Sequence, residues 1–77
     1  MRKFRKLKIP AHAHALARQM TGIQNTVRCG IADLADRSGV SKTAIHNWRH
    51  TNVPRVSDLQ ACLNALGYEL VIRRIGE

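Results

Sequence analysis

Apolar residues recur at helical intervals in the first third of the chain. Leu16, Met20, Ile23 and Val27 follow one another three or four residues apart. With Pro10 suited to a helix start, this spacing predicts a first helix over about residues 11–28. Thr21-Gly22 weakens that helix, because an internal glycine is unfavourable, so a kink or break at this point is an open alternative.

Two short helices are predicted next, joined by a tight turn. Ile31, Leu34 and Ala35 place an apolar stripe on one face of a helix. Gly39 should end this helix, since glycine adopts the left-handed conformation at little steric cost. Ser41 is a suitable N-cap for the following helix.

The second of these helices, over about residues 41–50, has two unlike faces. Ile45 and Trp48 share the inward face, and Val40 can pack on Ile45. The other face is polar and has no carboxylate, carrying the residues Lys42, Thr43, His46, Asn47, Arg49 and His50.

A fourth helix and then a strand are expected in the last third. Ser57 and Gln60 have the spacing of a capping box, which predicts a helix over about residues 58–66, ended by Gly67. Its inward stripe is Val56, Leu59, Cys62, Leu63 and Leu66.

Residues 68–75 instead alternate and are rich in β-formers, which predicts a strand with Tyr68, Leu70 and Ile72 on one face. A lone strand leaves its amides and carbonyls unpaired. Its partner could be the same strand of a second copy, giving a homodimer, or the N-terminal segment, or another protein.

Charge narrows the classes of partner. Thirteen Lys and Arg against five Asp and Glu give a net charge of +8, which favours a polyanion such as nucleic acid as the partner.

The 77 residues are expected to form one domain with a small core. No nucleophile with an orienting base and acid is evident in the sequence, so we expect neither an enzyme nor a cofactor.

Membrane, secretory and metal-binding classes are disfavoured by the sequence. No apolar run reaches the length of a membrane span or a secretory signal. Cys29 and Cys62 fit small apolar core positions, which indicates reduced thiols and a cytoplasmic protein. The histidine pairs, 12 with 14 and 46 with 50, lack the further ligands of a zinc site.

The polar face of the third helix suits the major groove of DNA. An α-helix fits that groove, Asn47 could pair with adenine through two hydrogen bonds, Lys42 could reach guanine, and Thr43 offers a hydroxyl and a methyl group. The alternative is an ordinary solvated helix face.

The stretch LADRSGVSKTAIHNWRHTNVPRVSDLQACLNALG resembles the Cro and repressor type, or XRE type, of helix-turn-helix domain found in small phage and bacterial transcriptional regulators. The resemblance covers about residues 20–66 and lies in the Leu-Ala pair, the Gly, the Ser cap, the Ile-x-x-Trp and the closing Ala-Leu-Gly. One departure is Gly30-Ile31, where the family often has Ser or Thr followed by Gln.

The resemblance implies a fold and a set of DNA contacts. The expected fold is mainly all-α, a lambda-repressor-like bundle of about four helices over residues 10–67, with a basic arm at 1–9 and a candidate dimerisation strand at 68–77. The third helix would enter the major groove, with base contacts from Lys42, Thr43, Asn47, Ala44 and His46.

The phosphate contacts are expected from the flanking residues. The loop after the third helix supplies Asn52 and Arg55 by resemblance, although a loop without a role is an alternative. Residues 1–8 could be a DNA-contacting arm or a solubilising tail. The full set is Arg49, His50, Asn52, Arg55, Arg2, Lys3, Arg5 and Lys6. The expected activity is that of a homodimeric repressor of double-stranded DNA, with an antitoxin-type protein-interaction module as the alternative.

Overall fold

The structure, a computed structural model, describes residues 4–50 and 52–76 and is mainly helical. Within those residues it contains four helices and no strand, which confirms the prediction of a mainly all-α fold. The helices are α1 (Ala15–Val27), α2 (Ile31–Ser38), α3 (Lys42–Asn47) and α4 (Val56–Ala65).

One hydrophobic core draws on all four helices. α2 packs against both α3 and α4, and its Leu34 is completely buried. Around it lie Ala17 and Met20 from α1, Ile45 from α3, and the α4 residues Leu59, Cys62 and Leu63. Because α3 packs against α2, and Ile45 of α3 lies in this core, the core fixes the position of α3.

α1 begins later than predicted and presents a different face to the core. A turn precedes it, in which the amide of Ala13 donates to the carbonyl of Pro10 at 3.3 Å, and the side chain of His14 caps the helix at its true start. The predicted stripe is partly wrong, because Leu16 and Val27 are exposed. The helix runs through Thr21-Gly22 without a break.

The buried stripe of α1 contains two polar residues that an apolar template does not register. It consists of Ala17, Met20, Thr21 and Gln24. Thr21 is accommodated because its hydroxyl donates to the carbonyl of Ala17 at 3.0 Å. A buried polar group is tolerated where it is hydrogen-bonded in this way.

Gln24 braces the corner between α1 and α2. Its side-chain Nε2 donates to the carbonyl of Cys29 at 3.2 Å, while its backbone carbonyl accepts from the Cys29 amide at 2.9 Å. Arg28 between them has φ +58°, an unusual left-handed conformation for a residue with a side chain. Gln24 is 1% exposed, so this bracing lies inside the protein.

The turn between α2 and α3 forms as its residues predict. Gly39 adopts φ +79° and its amide donates to the carbonyl of Ala35 at 3.0 Å. Ser41 then caps α3, with its hydroxyl accepting from the Ala44 amide at 3.1 Å. Val40 and Ile45 are both buried in the core. The three residues 39–41 thus complete a tight turn.

α4 begins two residues before its predicted start, and the predicted capping box is wrong. Arg55 is the N-cap residue and makes no side-chain capping bond, which places Ser57 inside the helix. Pro54 is buried immediately before this start. Val56 was assigned to the inward stripe but is 74% exposed. The other stripe residues are buried as predicted.

The C-terminal segment leaves α4 through Gly67. This glycine has φ +87°, and the amide of Tyr68 donates to the carbonyl of Leu63 at 2.8 Å, as in a Schellman motif. Residues 68–74 have no regular secondary structure. The predicted strand is not formed in the single chain described, and the backbone of Leu7, in the N-terminal segment that was one candidate partner, is instead hydrogen-bonded to the Asn25 side chain of α1.

None of the helices in the described ranges has the length and apolar character required to cross a bilayer.

Candidate nucleic-acid interface

α3 has one buried side and one exposed side. Ile45 is 1% exposed and Trp48 is 5% exposed, and both belong to the core. Because residues on a helix advance by about 100° per position, anchoring these two fixes the rotation of the whole helix. The direction in which each remaining side chain points is therefore set by the core.

Four of the five residues predicted to contact bases are exposed on this helix. Lys42, Thr43, His46 and Asn47 all face solvent. Ala44 is only partly exposed and packs against the core. If the surface is used for binding, Ala44 can therefore present only part of its methyl group.

Two imidazoles lie side by side at the C-terminal end of α3. The ring centroids of His46 and His50 are 5.5 Å apart, in an edge-to-face arrangement. No group of three or more His, Cys, Asp or Glu in the described part of the chain could hold a metal ion. His14, part of the other pair, accepts a hydrogen bond at Nδ1 from the Leu16 amide at 3.1 Å.

Arg49 is engaged with the protein's own chain. Its guanidinium donates to the Thr21 hydroxyl at 3.5 Å and to the carbonyl of Lys8. The predicted phosphate ligand is thus also a bridge between the end of α3, α1 and the N-terminal segment. Sequence spacing did not suggest this role.

The other residues predicted to contact phosphate lie in the N-terminal segment and in the loop between α3 and α4. His50, Asn52, Arg55, Arg5 and Lys6 are all exposed. Arg2 and Lys3 lie outside the described residues.

The N-terminal segment, whose described part is residues 4–14, is held against α1. The amide of Leu7 donates to Asn25 Oδ1 at 2.7 Å, and Asn25 Nδ2 donates back to the Leu7 carbonyl at 2.9 Å. The guanidinium of Arg28 lies 5.3 Å from the centroid of the Phe4 ring. Asn25 is a positioning residue that the sequence analysis missed, since no local pattern pairs residues this far apart.

The docked segment creates a cleft next to the end of α3. The cleft has a volume of about 580 Å³ and is walled by Lys8, Ile9, Pro10 and His12 on one side and by Arg49 and His50 on the other. Lys8 and His12 were not predicted as site residues. Their contribution depends on the fold of the segment.

The three residues predicted to form a dimer contact differ in exposure. Ile72 is fully exposed and Tyr68 is 45% exposed, whereas Leu70 is partly buried against the chain's own core. The two cysteines are buried and free. Burial raises the pKa of both thiols, although for Cys62 a hydrogen bond with the Ser38 side chain acts in the opposite direction.

Comparisons with protein-family models, with curated proteins and with solved structures found no match to this chain. Any functional assignment therefore depends on the residues and geometry described above.

Proposed function

We propose that this protein is a sequence-specific DNA-binding transcriptional regulator of the XRE helix-turn-helix type, with a lambda-repressor-like arrangement of its helices. The observation that carries the proposal is the two-sided character of α3. Ile45 and Trp48 anchor it in the core, while Thr43 and Asn47 face outward. A helix held in this way can enter a major groove without rearrangement of its base-contacting side chains.

The exposed side chains have the chemistry required to distinguish base pairs. Asn47 can donate to and accept from adenine at once, and Lys42 can donate to the guanine acceptors. Thr43 can contact thymine through its methyl group or another base through its hydroxyl. Each well-formed two-pronged contact contributes about 1–3 kcal/mol of discrimination.

Affinity would come from contacts to the DNA phosphates by the cations Arg5, Lys6 and Arg55 and by the polar side chains of His50 and Asn52. Such contacts position the protein without reading sequence. The net charge of +8 makes the release of counterions from DNA a large part of the binding free energy.

We further propose that the protein acts as a homodimer, most simply as a repressor that occupies a site needed by RNA polymerase. Residues 68–75 of two copies would pair as a two-stranded ribbon, with Ile72 and Tyr68 available for contact. Leu70 would contribute less, because it already packs on its own core. Two recognition helices related by a twofold axis require half-sites about one DNA turn apart.

The test is selection of binding sites from a random DNA pool at about 150 mM salt, because low salt exaggerates the affinity of any basic protein. We expect enrichment of a short inverted repeat with half-site centres about 10 base pairs apart. Recovery of unenriched DNA would contradict sequence-specific binding. Enrichment of a single half-site would retain the DNA-binding proposal and contradict the homodimer.

A second candidate function is supported by the exposed apolar residues of the C-terminal segment. Val71, Ile72 and Ile75 are exposed, which suits an antitoxin-type module whose segment pairs with another protein. Light scattering of the purified protein separates the two candidates. A stable homodimer without a companion chain favours the regulator. A complex of one copy of this chain with an unrelated chain favours the protein-interaction module.

The proposal requires neither catalysis nor a cofactor, and it places the protein in the cytoplasm. The buried, unpaired Cys29 and Cys62 are compatible with that reducing compartment.

A further inference from the structure

The cleft beside α3 brings together nitrogen-bearing side chains from distant parts of the chain. Lys8 and His12 come from the segment that precedes α1, and Arg49 and His50 come from the turn that follows α3. Among the described residues that line it, none is acidic. Ile9 and Pro10 add an apolar surface between the polar groups.

The wall formed by the N-terminal segment is fastened at three points. Asn25 holds both backbone groups of Leu7, and Arg49 donates to the carbonyl of Lys8. Further along, the guanidinium of Arg18 donates to the carbonyl of Ala11 at 3.3 Å. These bonds hold the segment where Lys8 and His12 face the end of α3.

We propose that this cleft is a binding site for a phosphoryl group, and that its ligand is a phosphodiester of the DNA backbone next to the groove that α3 enters. The second part of this inference rests on the proposed function. Asn25 acts as the positioning residue, because it holds one wall of the cleft without contacting the ligand.

The chemistry of the walls fits a phosphate flanked by a sugar. The Lys8 ammonium offers three donors, and a guanidinium has five, of which Arg49 uses one for Thr21 and one for the Lys8 carbonyl. His12 and His50 offer further ring donors. The Ile9 and Pro10 surface can contact the apolar edge of a deoxyribose. The volume of about 580 Å³ exceeds that of a phosphate alone and accommodates this larger unit.

The first test compares single substitutions by their affinity for duplex DNA, measured by fluorescence anisotropy over a range of salt concentrations. Lys8→Ala should weaken binding by about twofold to fivefold, the range expected for an exposed ionic contact. His12→Ala should weaken binding by a similar factor, about twofold to fivefold, through the loss of a ring N–H donor. Lys8→Ala should also lower the slope of log K against log salt by about 1. Each substitution should reduce the affinity for a selected site and the affinity for random DNA by the same factor, because phosphate contacts carry no sequence information.

Arg37→Ala is the matched control, since it removes a cation from an exposed position on α2 that does not line the cleft and lies outside the proposed dimer segment. Its effect should be smaller than that of Lys8→Ala. Equal effects of Arg37→Ala and Lys8→Ala would mean that only total charge matters, which would overturn the inference.

The second test removes no charge. Asn25→Ala should release the segment, speed hydrogen exchange of the Leu7 amide and weaken DNA binding by about twofold to fivefold. Thr26→Ala is the control, because its exposed hydroxyl donates within α1 to the carbonyl of Gly22 at 3.0 Å. Denaturant unfolding of both variants verifies that the fold persists. Faster exchange at Leu7 with unchanged DNA affinity would overturn the positioning role.

The source of the phosphoryl group is decided by NMR titration of the His12 and His50 ring signals with inorganic phosphate and with duplex DNA, against chloride at equal ionic strength. Saturable shifts with DNA alone support the backbone ligand, and shifts with both support a site that also accepts free phosphate. No shift with either ligand overturns the site. Weaker binding by the cleft variants without any preferred DNA sequence would instead contradict the proposed function and leave the cleft supported.

Discussion

The hydrogen bond from Gln24 to the Cys29 carbonyl should stabilise the corner that joins α1 to α2. Gln24→Met keeps an unbranched side chain of similar length and removes the amide, including its Nε2 donor. The Cys29 carbonyl, in a residue that is 1% exposed, then loses its 3.2 Å partner. Leaving a buried acceptor unsatisfied costs about 1–3 kcal/mol. A domain of this size has a total stability of about 4–12 kcal/mol, so the loss is a large fraction.

Gln24→Ala separates the hydrogen bond from the packing. It removes the donor and also leaves a cavity, so we expect a total loss of about 2–4 kcal/mol. The expected order of stability is therefore wild type, then Gln24→Met, then Gln24→Ala. For a chain of this length, the loss of about 1–3 kcal/mol in Gln24→Met corresponds to a lowering of Tm by about 4–24 °C.

Equilibrium unfolding in urea measures these losses. Trp48 is the single tryptophan and is buried, so its fluorescence reports on the core without a label. Gln60→Met is the matched control on an exposed face of α4, and we expect it to change stability by less than about 0.5 kcal/mol. If Gln24→Met unfolds at the same urea concentration as the control, the side-chain bond does not stabilise the corner.

Three further predictions concern the other turns and the thiols. Ser41→Ala should lower the free energy of unfolding by about 1 kcal/mol because it removes the N-cap of α3, whereas Ser57→Ala should leave it nearly unchanged because Ser57 lies inside α4. Equal losses for the two variants in urea unfolding would contradict this and support Ser57 as the cap of α4. Gly39→Ala should lower the free energy of unfolding by about 1–2 kcal/mol, because residues with a Cβ disfavour the positive φ at this position. The added Cβ would meet no atom within 4 Å, so a steric clash does not contribute. An unchanged Tm would contradict this backbone strain. Cys29 and Cys62 should react slowly with iodoacetamide at pH 8, because burial raises the pKa of both thiols and leaves little thiolate. Their alkylation should accelerate at higher pH and in denaturant, and rapid labelling of the native protein would contradict this burial.

The part of the fold that was predictable is specified by neighbouring residues. Gly39 supplies a conformation that other residues adopt at a cost, and Ser41 supplies an acceptor three residues before the amide it caps. Ile45 and Trp48 are three residues apart and apolar, so their shared burial follows from helix geometry. Each of these signals lies within a few positions of its consequence.

The errors in α1 and α4 arose where tertiary structure overrides local pattern. Thr21 and Gln24 are buried because the fold provides hydrogen-bond partners for them, and a hydrophobic template treats both as surface residues. Val56 was assigned inward from spacing alone, but α4 buries the face that carries Leu59 and Cys62.

The candidate site was only half predictable for the same reason. The exposed face of α3 could be derived from its own sequence. The cleft depends on Asn25 meeting Leu7, 18 residues away, and on Arg49 meeting Lys8, 41 residues away. No periodicity encodes such contacts, so Lys8 was assigned to the basic arm and His12 to the start of the predicted first helix.

The most direct measurement of the central claim compares Asn47→Ala with Asn64→Ala by their affinity for a selected site and for random DNA. Asn47 is exposed on α3 and Asn64 is exposed on α4, so both variants remove the same surface amide. We predict that Asn47→Ala loses about 1–3 kcal/mol on the selected site and little on random DNA, while Asn64→Ala changes neither. Equal losses by Asn47→Ala on both DNAs, or no loss on either, would contradict the claim that α3 offers its outward face to base edges.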